Sequence, residues 1–274
     1  MKDKKKWLIS PGVLTLFIFA IAPLFTMLYY SFQSDTGGTG FTFENYIHFF
    51  EKGFYLKLTG RTIINSLSVT LISLVIAYPL AYVMAKKLKG MRNVVLILII
   101  IPFFTNQLVR IYSWIVFLQD GGIFNDFLIS LGIIKGGLGL LYTRAAVIIG
   151  LVHAYFPYMV ITIYLAMERI DNSLLEASRS LGASPPATFI KVTLPLSWPG
   201  VVSGVMLVFV PCLGSFVEPR ILGGTGGAVI GTVIEAQFFQ VYGWNFGASI
   251  AFLLLALVIV SMGIFNKMGK EKLI

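Results

Sequence analysis

Two glutamates near aromatic residues are the side chains of this sequence that are best suited to binding a cation. Glu218 follows Phe216 by two positions, and Glu235 precedes a run of aromatic residues. In surroundings of low dielectric constant a carboxylate pairs strongly with a cation, and aromatic ring faces attract the same charge. The aromatic residues that could complete such a site are Tyr112, Trp114, Tyr155 and Tyr242. The pattern favours a site for an organic cation, with the alternative that both glutamates are charges that face water.

Arg110 opposes this chemistry. It lies two residues before Tyr112, and a buried positive charge repels a cationic ligand unless a carboxylate neutralises it. We therefore expect Arg110 to pair with one of three acidic residues, namely Asp120, Glu218 or Glu235.

Patterns typical of catalytic and metal sites are absent from the sequence. The chain has two histidines, His48 and His153, and one cysteine, Cys212, and its apolar segments contain no paired acids of the kind that a membrane-embedded enzyme needs. It also lacks a Gly-x-x-x-x-Gly-Lys-Ser/Thr loop to hold nucleotide phosphates. We expect no active site, metal or cofactor in this chain, and we expect His153 to pack between helices.

A polar segment, residues 169–195, predicts a short capped helix. Asp171, Asn172 or Ser173 can cap its start, and Glu176 stands three residues after Ser173, as in a capping box. Gly182 can end the helix, and two prolines then redirect the chain. The apolar stripe comprises Leu174, Leu175, Ala177, Ser178 and Leu181. Because such a helix is too short to be stable alone, it must pack on another surface.

The elements that position these residues are apolar. Of the 274 residues 57% are hydrophobic and only 12% are charged, and the mean hydropathy is +0.86. Soluble domains carry about 25% charged residues. Lipid must therefore cover much of the exterior.

Six apolar intervals are long enough to cross a bilayer, which needs about 20 residues per helix. The chain is expected to be an all-α polytopic membrane protein with one transmembrane domain over residues 1–274. The first interval imitates a cleavable signal peptide, but the apolar run continues to Phe32, so we expect an uncleaved helix. The predicted spans are residues 7–32, 62–85, 93–118, 145–167, 192–217 and 244–266.

Lysine and arginine orient the chain, because these residues stay preferentially on the cytoplasmic side. Placing both termini inside puts fourteen of the 21 basic residues in cytoplasmic segments. They are Lys2, Lys4, Lys5, Lys6, Lys86, Lys87, Lys89, Arg92, Arg169, Arg179, Lys191, Lys267, Lys270 and Lys272. The net charge of +9 then reflects topology and anionic lipid, and we expect no nucleic-acid partner.

The spacing within residues 169–195 resembles the EAA motif of type I ABC importer permeases, which reads Glu-Ala-Ala, three residues, Gly, nine residues, Ile, one residue, Leu-Pro. The matching residues here are Glu176, Ala177, Ser178, Gly182, Val192, Leu194 and Pro195. The resemblance implies the MetI-like permease fold with both termini inside. It also implies that the motif, residues 169–195, docks on a separate ATPase and transmits its movement, with Glu176, Ala177, Ser178, Gly182, Leu194 and Pro195 as coupling residues.

The same resemblance implies the partners. An ABC ATPase homodimer would use ATP and Mg, a second homologous permease would form the other half of the path, and an extracytoplasmic substrate-binding protein would deliver a small solute. ATP and Mg would bind the partner ATPase and not this chain.

Residues 106–114, 121–125, 213–219 and 221–224 are similar to the spermidine/putrescine permeases of that family. Several polyamine permeases have an acidic residue where this chain has Ser215. The resemblance implies polyamine import, with a substrate path that includes Asn106, Arg110, Tyr112, Trp114, Tyr155, Phe216, Glu218 and Glu235. Two alternatives stay open: an importer permease for another small solute, or a secondary transporter driven by an ion gradient, for which the spans offer few carboxylates.

Overall fold

The computed structural model describes residues 11–34, 40–88 and 90–270, and this part of the chain is helical apart from its connections and one isolated β-bridge between Gln33 and Phe41. It forms two compact units. The first contains the described residues up to Lys57 together with Val233–Leu257, and the second contains Leu58–Thr232 and the described residues from Val258 onward. Residues 7–10 of the predicted first span lie outside the described residues, as do Lys2, Lys4, Lys5, Lys6, Lys89 and Lys272.

The first unit begins with α1 (Pro11–Ser31), which contains a π-helical turn at Phe17–Ile21. No residue in the apolar window of α1 is buried, as expected of a helix that faces lipid. Its end is fastened to α2 (Glu44–Glu51), because the side chain of the buried Asn45 donates hydrogen bonds to the carbonyls of Ser31 and Gln33. Near the end of the described chain, α11 (Ile230–Ala236) continues into a π-helical turn at Gln237–Val241, and α12 (Trp244–Lys270) follows.

The remaining helices follow in chain order. They are α3 (Gly53–Lys86), α4 (Arg92–Ile100), α5 (Gln107–Leu118), α6 (Ile123–Ser130), α7 (Arg144–Glu168), α8 (Asn172–Ser180), α9 (Pro185–Gly214) and α10 (Val217–Gly223). Among the described residues, α1, α3, α7, α9 and α12 are long and apolar enough to cross a membrane.

The sixth candidate span is broken and is not the straight helix that the sequence predicts over residues 93–118. α4 continues into a 3-10 turn at Ile101–Phe104, and the following helical stretch, Gln107–Ser130, leaves at 97°. Pro102 lacks an N–H donor, which interrupts the helical ladder. The side chain of Asn106 then accepts a hydrogen bond from the N–H of Leu108 at 2.8 Å and caps a new helix, α5.

In the second unit α7 packs against α9 through two glycines of α9. A Cβ atom on Gly200 would lie 2.7 Å from the carbonyl oxygen of Thr162, and one on Gly204 would lie 2.7 Å from the sulfur of Met159. Small residues let helix backbones approach closely, which is how helices in membranes gain packing energy. α9 ends at Gly214, slightly before the predicted limit of residue 217.

Candidate functional site

The helix α8 has a defined start. The side chain of Asp171 accepts a hydrogen bond from the N–H of Ser173 at 2.9 Å, so Asp171 is the N-cap among the three candidates in the sequence. This backbone hydrogen bond is the main cause that lowers the pKa of Asp171, and the charge of Lys86 adds to it. The capping box expected from Ser173 and Glu176 does not form, because the cap lies two residues earlier.

The carboxylate of Glu176 therefore takes no part in capping α8. It is exposed and makes no hydrogen bond or ion pair within the described part of the chain. No residue of α8 is buried, and Leu181 just beyond its end is 89% exposed. A helix of this length with an exposed leucine at its end is typical of a segment that a partner covers.

The end of α8 depends on Gly182. Its φ angle is +85°, in the left-handed region, and its N–H donates to the carbonyl of Arg179 at 2.9 Å. The N–H of Ala183 donates to the carbonyl of Ser178, so the last carbonyls of α8 are satisfied as in a Schellman motif. No atom lies within 4 Å of the position that a Cβ atom of residue 182 would take. Backbone conformation alone therefore explains a glycine here.

The other motif residues lie in different surroundings. Ser178 is half-buried, and its hydroxyl lies 3.1 Å from that of Thr188, which joins α8 to the first turn of α9. Leu194 is half-buried and Pro195 is exposed, and they follow the π-helical turn Phe189–Thr193 inside α9. The structure thus brings Glu176, Ala177 and Gly182 to one exposed helix, whereas Leu194 and Pro195 belong to the long helix that follows it.

A second group of predicted residues surrounds the carboxylate of Glu218. This side chain is 2% exposed. One carboxylate oxygen accepts a hydrogen bond from the side-chain amide of Gln107 at 2.9 Å, and the other accepts one from the hydroxyl of Ser215 at 2.7 Å. Gln107 was not among the predicted residues, because its only sequence signal is its place after the cap Asn106.

A glycine explains how Glu218 becomes buried. α9 ends at Gly214, Ser215 is extended, and α10 then folds back against α7. A Cβ atom on Gly150 of α7 would lie 2.4 Å from Leu222 and 3.9 Å from Glu218. The absence of a side chain at Gly150 leaves room for Leu222 and lets α10 pack closely on α7 beside Glu218.

Two of the three ion pairs expected of Arg110, those with Asp120 and Glu218, do not form within the described part of the chain. Its guanidinium donates to the carbonyl of Pro102 at 3.4 Å, and among the described residues neither Asp120 nor Glu218 forms an ion pair with it. Asp120 instead accepts a hydrogen bond from the N–H of Gly139. The carbonyl of Pro102 also accepts hydrogen bonds from the N–H of Thr105 at 3.3 Å and from its hydroxyl at 2.6 Å, so Arg110 is an additional donor at the point where the helix breaks.

Arg110 lines an open groove of about 460 Å³. Trp114 and His153 face the same groove, and the indole N–H of Trp114 donates to Nδ1 of His153 at 3.0 Å. This contact joins α5 to α7, in agreement with a packing role for His153. The other lining residues are Ile101, Pro102, Thr105, Val109, Ser113 and Phe117.

The remaining predicted path residues differ in exposure. Tyr112 is 58% exposed and Phe216 is 40% exposed. Tyr155 is half-buried and lies within electrostatic range of both Glu218 and Arg110. Glu235 is half-buried in the first unit, so the structure does not assign it to the group around Glu218.

Comparison with known proteins finds transport proteins. The family described as "Binding-protein-dependent transport system inner membrane component" matches residues 70–268. The chain is 40% identical to the spermidine/putrescine transport system permease protein PotB of Escherichia coli K12, over 76% of each protein. It is 37% identical to PotB of Haemophilus influenzae, over 93% of this chain and 90% of that protein.

A solved structure shares the fold. A chain of a bacterial ABC transporter that imports the acidic polysaccharide alginate has a TM-score of 0.78 and 20% sequence identity, with 98% of both chains covered. At this level of identity the likeness concerns the fold alone. It confirms the importer-permease fold that the sequence predicts.

Proposed function

Because this chain belongs to the binding-protein-dependent transport system inner membrane components, we propose that it forms half of the path by which an importer carries a polyamine such as spermidine or putrescine. The chain is a permease subunit of an ABC importer and a multi-pass protein of the cytoplasmic membrane. The polyamine assignment draws on the names of the PotB relatives and on the chemistry around Glu218.

Docking on a separate ATPase is the proposed role of α8. The observation that carries it is the exposed, doubly capped helix whose Glu176 is uncommitted and whose neighbour Leu181 is 89% exposed. An apolar side chain seated in a partner's pocket and a charge at its rim are the usual anchors of such a contact. Ala177 and Gly182 complete the contact, and Ser178, Leu194 and Pro195 connect it to α9.

Energy would come from that ATPase, which would bind ATP and Mg, and this chain would bind neither. We propose an ATPase homodimer on the cytoplasmic side, a second homologous permease beside this one and an extracytoplasmic binding protein that delivers the solute. Closure of the ATPase would bias the permease pair between inward-open and outward-open states. A bacterial alginate transporter has been solved in complex with its periplasmic protein, which supports this arrangement by analogy of fold.

Glu218 is the proposed contact for one ammonium group of the cargo. Its two hydrogen-bond partners, Gln107 and Ser215, are neutral, so the carboxylate has no cationic partner among the described residues. Each carboxylate oxygen can accept a further hydrogen bond. Several polyamine permeases are acidic at the position of Ser215, and here Glu218 brings a carboxylate to that same hydroxyl. A buried negative charge without a counter-ion attracts a cation.

The docking proposal is tested with substitutions that change the charge of α8 and its end, made in the assembled complex. Glu176→Lys and Gly182→Asp should abolish ATP-dependent uptake while the subunit stays in the membrane. Lys87→Glu, an exposed charge reversal outside residues 169–195, is the matched control and should retain uptake. Normal uptake in both α8 variants would exclude the docking role of this helix, and uptake by this chain without an ATPase would favour a secondary transporter.

The substrate proposal is tested with Glu218→Gln, which keeps the shape of the side chain and removes its charge. Removing one partner of a buried charged contact typically costs at least about 2 kcal/mol, so the KM for spermidine should rise by roughly thirtyfold or more. Glu51→Gln, an exposed carboxamide substitution, should leave the KM unchanged. A panel of polyamines, amino acids and metal complexes completes the assay. No response to any polyamine would remove this substrate class and leave the importer assignment intact.

A further inference from the structure

Both ends of the segment that carries α8 contact the helix α3. Three residues of α3, Tyr78, Tyr82 and Lys86, are spaced by four positions and therefore lie on one face of the helix. All three are half-buried. We call them the α3 stripe.

The first end of the segment is held by Lys86. Its ammonium group donates to the carbonyl of Ile170 at 2.7 Å and to the side chain of Asn172 at 3.2 Å. These two residues flank the N-cap Asp171, and the charge of Lys86 also acts on that carboxylate. The start of α8 is therefore fixed to the end of α3.

A second contact beside Lys86 strengthens this junction. Arg92, at the start of α4, forms an ion pair with Glu168 at 2.7 Å, and the hydroxyl of Tyr164 donates to the same carboxylate oxygen at 2.9 Å. Glu168 is the last residue of α7. The turn between α3 and α4 thus holds the chain where α7 passes into α8.

The two tyrosines of the α3 stripe hold the other end of the segment. The rings of Tyr78 and Tyr82 both meet the ring of Phe189 edge to face, with 5.8 Å between ring centroids in each pair. The hydroxyl of Tyr78 lies 2.9 Å from that of the buried Ser197. Phe189 follows the first turn of α9, so the exit from α8 is also fixed to α3.

We propose that α3 is a second transmitting helix, which moves with α8 through the α3 stripe when the ATPase closes. This inference rests on the proposed docking of α8. α8 itself has no buried residue, so its displacement reaches the membrane helices through its two ends. Residues of the α3 stripe contact the chain at both of these ends. Pro79 lies inside α3 beside Tyr78 and removes one hydrogen bond of the helical ladder. The missing hydrogen bond is the one to the carbonyl of Val75, so the weak point of α3 lies before Tyr78. The part of α3 that carries the stripe can therefore follow the segment while the preceding part stays in place.

Substitutions in the α3 stripe provide the first test. Lys86→Met keeps a long side chain and removes the donor, and Tyr82→Leu removes one ring contact. The assembled complex should still contain the ATPase and hydrolyse ATP at its basal rate. Solute imported per ATP should fall about fivefold or more in the double variant, the lower end of typical coupling between sites. Lys87→Met, the neighbouring exposed lysine, should leave this ratio unchanged.

An unchanged ratio in the double variant would overturn the proposal. The outcome is separable from failure of the docking role: if Gly182→Asp uncouples transport and the double variant does not, α8 docks as proposed and α3 does not transmit. If neither Gly182→Asp nor Glu176→Lys uncouples transport, the docking proposal itself fails.

A cross-link tests the shared movement without weakening the helix, and it decides the matter if the double variant fails to assemble. Tyr82→Cys and Phe189→Cys are combined on a Cys212→Ala background, since Cys212 is the single cysteine of the chain. A short bifunctional thiol reagent then joins α3 to the start of α9. If the two elements move together, the linked complex should import solute within about twofold of a Cys212→Ala complex that keeps Tyr82 and Phe189, below the smallest typical coupling effect. Loss of uptake on linking would show that they separate and would refute the proposal.

Discussion

Replacing Gly182 by residues of different size and backbone preference separates two reasons for a glycine at the end of α8. The φ angle of +85° and the empty space within 4 Å of a Cβ atom indicate that conformation, and not volume, selects glycine. Alanine in the left-handed region costs about 1–2 kcal/mol. Asparagine tolerates positive φ better than alanine although it is larger. Valine, which is β-branched, should be tolerated least.

The expected order of ATPase affinity is therefore glycine, asparagine, alanine and valine at position 182. A change of about 1–2 kcal/mol corresponds to roughly 5–30-fold in the population of a correctly ended helix. The affinity for the ATPase falls by the same factor when only that population binds. Gly182→Ala should therefore bind the ATPase up to roughly 5–30-fold more weakly, and Gly182→Asn should lie between it and the native chain.

The assay is titration of the ATPase against the permease pair in lipid nanodiscs, with uptake measured in parallel. Gly263→Ala, at a helical glycine with no neighbour within 4 Å, controls for a general effect of the added methyl group. If Gly182→Asn bound more weakly than Gly182→Ala, side-chain volume would decide, and direct contact of the ATPase with Gly182 would replace the conformational explanation. Equal affinities for all variants would refute both the conformational explanation and direct contact of the ATPase with Gly182.

Three further predictions follow from the packing and the capping of the helices. Asp171→Ala should weaken ATPase binding, whereas Asp171→Asn, which keeps an acceptor, should not. Because the pKa of Asp171 is lowered, the ionised cap persists at all pH values above the ordinary aspartate pKa of about 3.9 and is lost only as pH falls through the lower folded value. ATPase binding between pH 7 and 5 should therefore not change through this group. Gly200→Ala should reduce stability by about 1–3 kcal/mol through overpacking, seen as a lower Tm in detergent than for Gly263→Ala. Arg92→Ala should change stability by less than about 1 kcal/mol, because the Arg92–Glu168 pair is partly exposed, and a larger loss in a denaturation curve would contradict this reasoning.

Local patterns predicted much of the fold. The apolar intervals around α3, α7, α9 and α12 are continuous, and their lengths follow directly from the thickness of a bilayer. The existence and approximate end of α8 were also predictable, because Gly182 supplies a conformation that few other residues adopt. In each case the signal lies within one stretch of the sequence.

The features that were missed depend on contacts between distant stretches. Three neighbouring residues could cap α8, and the structure selects Asp171, close to the charge of Lys86 on another helix. The break after Pro102 was not predicted, because a proline within an apolar run can also bend a continuous helix. The partnership of Gln107 with Glu218 requires α10 to fold back on α7, which Gly150 permits only once those helices meet.

The neutral partners of Glu218 have a consequence for turnover. A carrier must release its cargo as readily as it takes it up, so a site on the path has to bind favourably and still weakly enough to let go. Gln107 and Ser215 each donate a hydrogen bond to this carboxylate. If Glu218 contacts the cargo as proposed, departure of an ammonium group would leave a charge that these two donors partly stabilise, which would lower the barrier to emptying the site. A fixed cationic partner would instead compete with the cargo on arrival, and a carboxylate without partners would hold it.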